Sequence, residues 1–178
     1  MTSEISINRA PVLTLWAAVV AQRLGFNWDE AVSLGKAVAG LSAQAKGRRL
    51  GIFKPQEEKT KAARQKERGE QFWVEICGRS IPAMNTAEGI RAVSGRAAVD
   101  SDNAQYYLES KFGDQLDAVR TAMTTLAKAY RPRELAAKAF GLYETFRPEI
   151  PKGVKGWGAK GILDLRKIKS LGTELGLR

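Results

Sequence analysis

The sequence predicts an α+β fold, predominantly α-helical, with a small antiparallel β-hairpin or three-stranded sheet in the middle of the chain. Three observations carry this. Most apolar residues recur at helical spacing between Gly and Pro breaks. One short stretch, Phe72 to Met84, alternates apolar and polar residues about Cys77-Gly78. With 178 residues, 44% of them hydrophobic, the chain can bury one core, so it reads as a single domain over 1–178.

In chain order, Pro11 suits a first helical turn, and Leu13, Trp16, Val19, Val20 and Leu24 follow at helical spacing. Gly25 fits the left-handed position just past a helix end, with Phe26 folding back over the turn. Asn27 and Glu30 have the spacing of a capping box. They predict a second helix from Trp28 to about Lys46 that buries Ala31, Leu34, Val38, Leu41 and Ala45 and is ended by Gly47. Arg48 to Phe53 reads as a short extended piece and a weaker third strand. The polar stretch 54–70 reads as an exposed, partly mobile basic segment. Phe72, Val74 and Ile76 share one face of a strand and Trp73 the other. Cys77-Gly78-Arg79-Ser80 reads as the turn and Ser80 to Met84 as the return strand, which Pro82 marks as an edge.

Asn85 and Glu88 repeat the capping pattern and predict a helix from Thr86 to about Ser94. Asp100 to Asp102 predict a cap for a helix through about Lys111, broken by Gly113. Asp114 opens a further helix with a stripe of Leu116, Val119, Met123, Leu126 and Tyr130. After Pro132, Glu134 to Phe146 is helical again, with Leu135, Ala139, Leu142 and Phe146 inward. Pro148 and Pro151 end it. A Gly-rich loop around Trp157 and a short helix from Leu163 to Leu171 complete the chain. The segment 147–178 is expected to pack on the body.

Composition removes several kinds of chemistry. The chain has no histidine, so Ser-His-Asp, Cys-His and zinc-finger arrangements are excluded. Neither GxxxxGK[ST] nor GxGxxG is present, and GVKGWGAKG matches neither spacing. The carboxylates Glu57/Glu58 and Asp100/Asp102 are neighbours in sequence, which is no evidence of a paired site, and the latter read as capping residues. Cys77 beside Arg79 is a thiol whose pKa a cation could lower, but it has no histidine partner. No enzymatic activity, metal site or cofactor is expected. A single cysteine fits a reducing, cytoplasmic setting. The N-terminus lacks the pattern of a signal peptide, and the apolar run near Leu15 to Ala21 is too short to cross a bilayer, so no membrane partner is expected.

Charge is the feature that points to a partner. The chain carries 29 Lys+Arg against 19 Asp+Glu, a net of +10. Lys46 to Arg68 holds nine basic and three acidic residues, and Arg147 to Arg178 eight and three, so the other 123 residues sum to −1. Concentrated cations attract phosphate and release its counterions. The expected function is non-enzymatic nucleic-acid binding with low sequence specificity, duplex DNA being favoured over RNA. The candidate phosphate contacts are Lys46, Arg48, Arg49, Lys54, Lys59, Lys61, Arg64, Lys66 and Arg68. Arg79 at the hairpin tip would act as a wing. Lys152, Lys155, Trp157 and Lys160 would supply a Gly-rich loop whose indole stacks on a base.

Each feature also has a purely structural reading. The basic segment could be a solvated loop, Trp157 a core anchor, and Arg79 an exposed turn residue. Ala21, Gly25 and the apolar positions around them partly match a DNA-reading helix-turn-helix. Against that, Asp29 and Glu30 would meet phosphate at the end meant to approach DNA, and a packing hairpin explains the same residues. The alternative function is a protein-interaction or oligomeric scaffold, pairing through Asp114–Tyr130 and Glu134–Phe146 and docking an acidic partner.

Overall fold

The computed structural model describes residues 4–49, 71–94, 97–149 and 160–176. The elements are β1 (Glu4–Asn8), α1 (Arg9–Arg23), α2 (Trp28–Arg49), β2 (Gln71–Ile76), β3 (Arg79–Thr86), β4 (Gly89–Ser94) and β5 (Ala97–Ala98). They are followed by α3 (Ser101–Phe112), a 3-10 turn (Gly113–Gln115), α4 (Leu116–Lys128), α5 (Pro132–Phe146), β6 (Lys160–Asp164) and α6 (Leu165–Gly176). The architecture is the mostly helical α+β class that the sequence predicts. Its sheet is larger than expected: four antiparallel strands in the order β2-β3-β4-β5, with β1 and β6 forming a separate antiparallel pair.

The helix α1 is the centre. Every residue from Pro11 to Ala21 is buried, so no face of it meets water. Its one polar side chain in that run, Thr14, donates to Ala10 O within the helix at 2.9 Å. The helices α2, α4 and α5 pack around it. Trp16 is fully buried, donates its indole N–H to Ala139 O at 2.8 Å, and meets Phe146 edge-on with centroids 5.3 Å apart. The stripes of α4 and α5 are spent on this core: Val119, Met123, Leu126, Leu135, Ala139 and Phe146 are all buried. Leu142 is only half-buried, and Tyr143 takes the inward position beside it.

The turn between α1 and α2 follows its sequence signals. Phe26 N donates to Ala21 O and Gly25 N to Gln22 O, each at 3.1 Å, while Gly25 has φ +119°. This is the paired bonding that closes a helix through a left-handed glycine. Asn27 Oδ1 accepts from Glu30 N at 2.9 Å, and Glu30 Oε1 accepts from Asn27 N at 3.0 Å, completing the capping box. The two helices then run antiparallel at close range. A Cβ on Gly35 would collide with the carbonyl oxygen of Thr14 and stand 2.9 Å from Ala18 N.

The remaining oxygen of Glu30 and the hydroxyl of Ser33 join α2 to the sheet. Glu30 Oε2 accepts from Ile90 N at 2.9 Å, and Ser33 Oγ accepts from Ala92 N at 2.9 Å. Ser33 is fully buried and donates onward to Val99 O at 2.7 Å. Ile90 and Ala92 are the β4 residues whose backbone groups point away from β3, so two side chains of a helix satisfy amides that no strand reaches.

Five expectations need correction. The helix α2 passes through Gly47 to Arg49, because one glycine costs a helix only about 1 kcal/mol. Arg48 and Arg49 are therefore helical, and the rest of the proposed third strand lies outside the described residues. The third strand is β4 instead, at the place where Thr86 to Ser94 was expected to be helical. Gly89 has φ +120°, and Ile90, Ala92 and the edge bonds to α2 hold the segment extended. The return strand is also longer than expected, Arg79–Thr86, because the turn is only Cys77-Gly78, both at positive φ (51° and 76°).

Pro82 does not mark an edge, since β3 lies between β2 and β4. Ile76↔Arg79 closes a two-residue turn and is a hydrogen-bonded pair, so alternation turns the Pro82 nitrogen toward β4. It has no N–H to give, and the β3–β4 ladder stops at Ala83↔Ala92. Finally, β1 and β6 were not anticipated.

Removing the Ser33 hydroxyl leaves Ala92 N–H buried without a partner. Ser33→Ala is expected to cost about 1–3 kcal/mol in urea unfolding. Gly35→Ala drives a methyl into α1 backbone and is expected to cost at least as much, although alanine is the better helix former.

Candidate nucleic-acid interface

The antiparallel α1–α2 pair sets where the first basic segment leaves the body. Gly35 lies opposite Thr14 and Ala18, so α2 residues past Leu41 run beside and then beyond the first turn of α1. Lys46, Arg48 and Arg49 occupy the last turns of α2, roughly 6–10 Å beyond that start at 1.5 Å per residue. Lys54, Lys59, Lys61, Arg64, Lys66 and Arg68 lie outside the described residues.

The second basic segment leaves from the same end. β1 leads directly into α1, and its last residue, Asn8, pairs with Lys160, the first residue of β6. Arg9 donates its Nε–H to Pro148 O at 2.9 Å. A bridge between Glu149 and Ile162 (N···O 3.1 and 3.0 Å) then fixes both ends of the intervening stretch. Lys152, Lys155 and Trp157 belong to that stretch and lie outside the described residues, while Lys160 is exposed at its return. The close crossing requires Gly161, where a Cβ would stand 2.8 Å from the Glu149 carbonyl carbon.

Two arginines not singled out from sequence also sit here. Arg9 and the neighbouring Arg147 form no ion pair among the described residues. Desolvation by burial, and then the like charge of Arg147, lower the pKa of Arg9. Arg9 falls within the near-neutral part of the chain, and only the β1–β6 pairing brings it to the loop.

Arg79 has a different position from that expected. The hairpin tip is docked on α5, with Gly78 against Phe140, and Arg79 is half-buried and already engaged within the fold. The first turn of α2 is likewise occupied. Trp28 donates its indole N–H to Gln105 Oε1 at 2.8 Å, and Arg120 stacks 3.6 Å over its ring. With Glu30 on β4, α2 is held between α1, the sheet and α3, as the packing-hairpin reading requires and a groove-reading helix would not allow.

Cys77 does not have the environment of a nucleophile. It is 2% exposed, and burial pushes its thiol up to about 12, the opposite of the lowering expected from Arg79. Asp100 acts as the predicted cap, accepting from Asp102 N at 3.4 Å. Among the described residues, no group of three or more His, Cys, Asp or Glu could hold a metal ion, and no helix is long and apolar enough to cross a membrane. Comparison with protein-family models, curated proteins and solved structures finds no match.

At pH 8 a chromogenic disulfide reagent is expected to leave Cys77 unmodified in the native protein and to label it fully in denaturant. A pKa raised on folding also means stability present below about 9 and lost as pH climbs toward 12. Cys77→Ala should flatten that alkaline decline in a pH series of unfolding curves.

Proposed function

We propose that this protein binds nucleic acid, duplex DNA in preference to RNA, through phosphate contacts with little sequence readout. The observation that carries this reading is convergence. The C-terminal turns of α2 and the stapled ends of the Gly-rich loop, separated by about a hundred residues in sequence, emerge at one end of the molecule. Arg9, Arg147 and Lys160 add cations at the mouth of that loop. A cationic end on a near-neutral body concentrates the field where a phosphate backbone would lie. Arg48, Arg49 and the segment 54–70 would track phosphates, while Lys152, Lys155, Trp157 and Lys160 would supply the second contact. The stripes expected to pair with another copy are buried in the chain's own core, so they favour no scaffold role.

Fluorescence anisotropy with a labelled duplex of about 20 base pairs tests the reading. Affinity should fall log-linearly with salt, with a slope near −0.9 per phosphate neutralised. Reversing Arg48, Arg49, Lys61 and Arg64 together should abolish binding and leave helix content unchanged. Because both segments leave the body from one end, one protein should engage one duplex, and two duplexes carrying a donor and an acceptor dye should show no energy transfer. No binding at low salt, or unchanged affinity after reversal, would overturn the proposal.

A further inference from the structure

A second cationic feature lies at the other end of α1 and owes nothing to the two basic segments. Between α1 and α4 is a half-open pocket of about 350 Å³, lined by Val19, Gln22, Arg23, Thr124, Ala127 and Lys128. Arg23 is in the last turn of α1, about 22 Å from the first at 1.5 Å per residue. Its guanidinium is held in place from one side, Nη2 donating to Tyr130 O at 3.0 Å. Its Nε is buried with no partner, and the side chain forms no ion pair among the described residues.

The arginine is not needed to finish its own helix. The last carbonyls of α1 already accept from Leu24, Gly25 and Phe26. Nor is its charge offset by the chain that follows. From Lys128 to Lys138 there are four basic residues and one acidic residue, Glu134. Lys128, Arg131, Arg133 and Lys138 are all exposed, and the ammonium of Lys138 lies 5.4 Å from the Tyr130 ring centroid.

We propose that this pocket is a binding site for a small phosphate-bearing anion. The Nη1 side of Arg23, without a protein partner among the described residues, would donate to a phosphoryl oxygen. Lys128 would supply a second charge, and Gln22 and Thr124 neutral donors. A guanidinium already fixed by a carbonyl loses little freedom when an anion arrives, and a part-buried charge with no counterion gains most from one. The site is independent of the nucleic-acid reading, because it lies at the opposite end of α1 and uses none of the same residues.

The test follows the Arg23 Nε–Hε resonance of the full chain by NMR while pyrophosphate, and separately inorganic phosphate, is added at constant ionic strength. A saturable shift is expected, with pyrophosphate the tighter ligand. Lys128→Gln changes an exposed residue and should weaken it roughly tenfold. The variant with Arg48, Arg49, Lys61 and Arg64 reversed should bind pyrophosphate as well as the parent does. A drift that never saturates, or an affinity unchanged by Lys128→Gln, would overturn the site and leave Arg23 a purely structural residue.

Discussion

The fold depends on the complete burial of α1 from Pro11 to Ala21. A helix with water on no side cannot use amphipathicity to choose its neighbours, so its neighbours must supply a shell. Each large side chain in it contributes about 1.5–3 kcal/mol when removed from water, but only if α2, α4 and α5 all arrive. The approach is close at Gly35, where the absence of a side chain makes room for the α1 backbone at Thr14 and Ala18. That contact sets the register of the hairpin. The register in turn decides that the far end of α2 overshoots the start of α1 and carries Lys46, Arg48 and Arg49 with it.

Polar groups then attach the sheet to this helical core. Glu30 serves two structures at once, one oxygen closing the first turn of α2 and the other accepting from β4. Ser33 does the same for the next free amide of that strand. A sheet edge left in a dry interior would cost about 1–3 kcal/mol per unpaired group, so these bonds fix where β4 lies as firmly as apolar contact does. At the opposite end Tyr143 ties α5 to the start of α1, its hydroxyl donating to Arg9 O at 3.3 Å. The docked hairpin tip, the loop staple and the first turn of α1 thus form one connected platform.

The same architecture separates charge from chemistry. The one cysteine, Cys77, is a core thiol, and the buried tyrosine, Tyr143, has its ionisation pushed upward chiefly by desolvation. The surface carries exposed acidic groups such as Glu75, Asp102 and Glu109 as well as cations. Several of the cations lean on aromatic rings: Arg120 over Trp28, and Lys36 and Lys111 over Tyr107 at 4.3 and 5.9 Å. Such pairs cover apolar surface with the cationic side chain while leaving charge outside.

Local signals were legible wherever the physics is local. The Gly25 closure, the Asn27/Glu30 box, the Asp100 cap, the stripes of α4 and α5 and the alternation of Phe72 to Ile76 each depend on residues within a turn or two, and the sequence by itself determined them. The failures share one cause. Thr86 to Ser94 carries a helix-start pattern but forms the end of β3, a turn and β4, because the partners of Gly89–Ser94 are β3 and, sixty residues earlier, the side chains of Glu30 and Ser33. Pro82 suggested an edge, yet a strand needs a donor only on the side where its pairing continues. Nothing near Glu4–Asn8 or Lys160–Asp164 announces that they pair across the length of the chain. Segregated charge was visible from the start. That the two basic segments leave the body at one end, and that Arg23 at the other has no ion pair among the described residues, was decided only by the tertiary structure, because contacts distant in sequence leave no periodic trace in either partner.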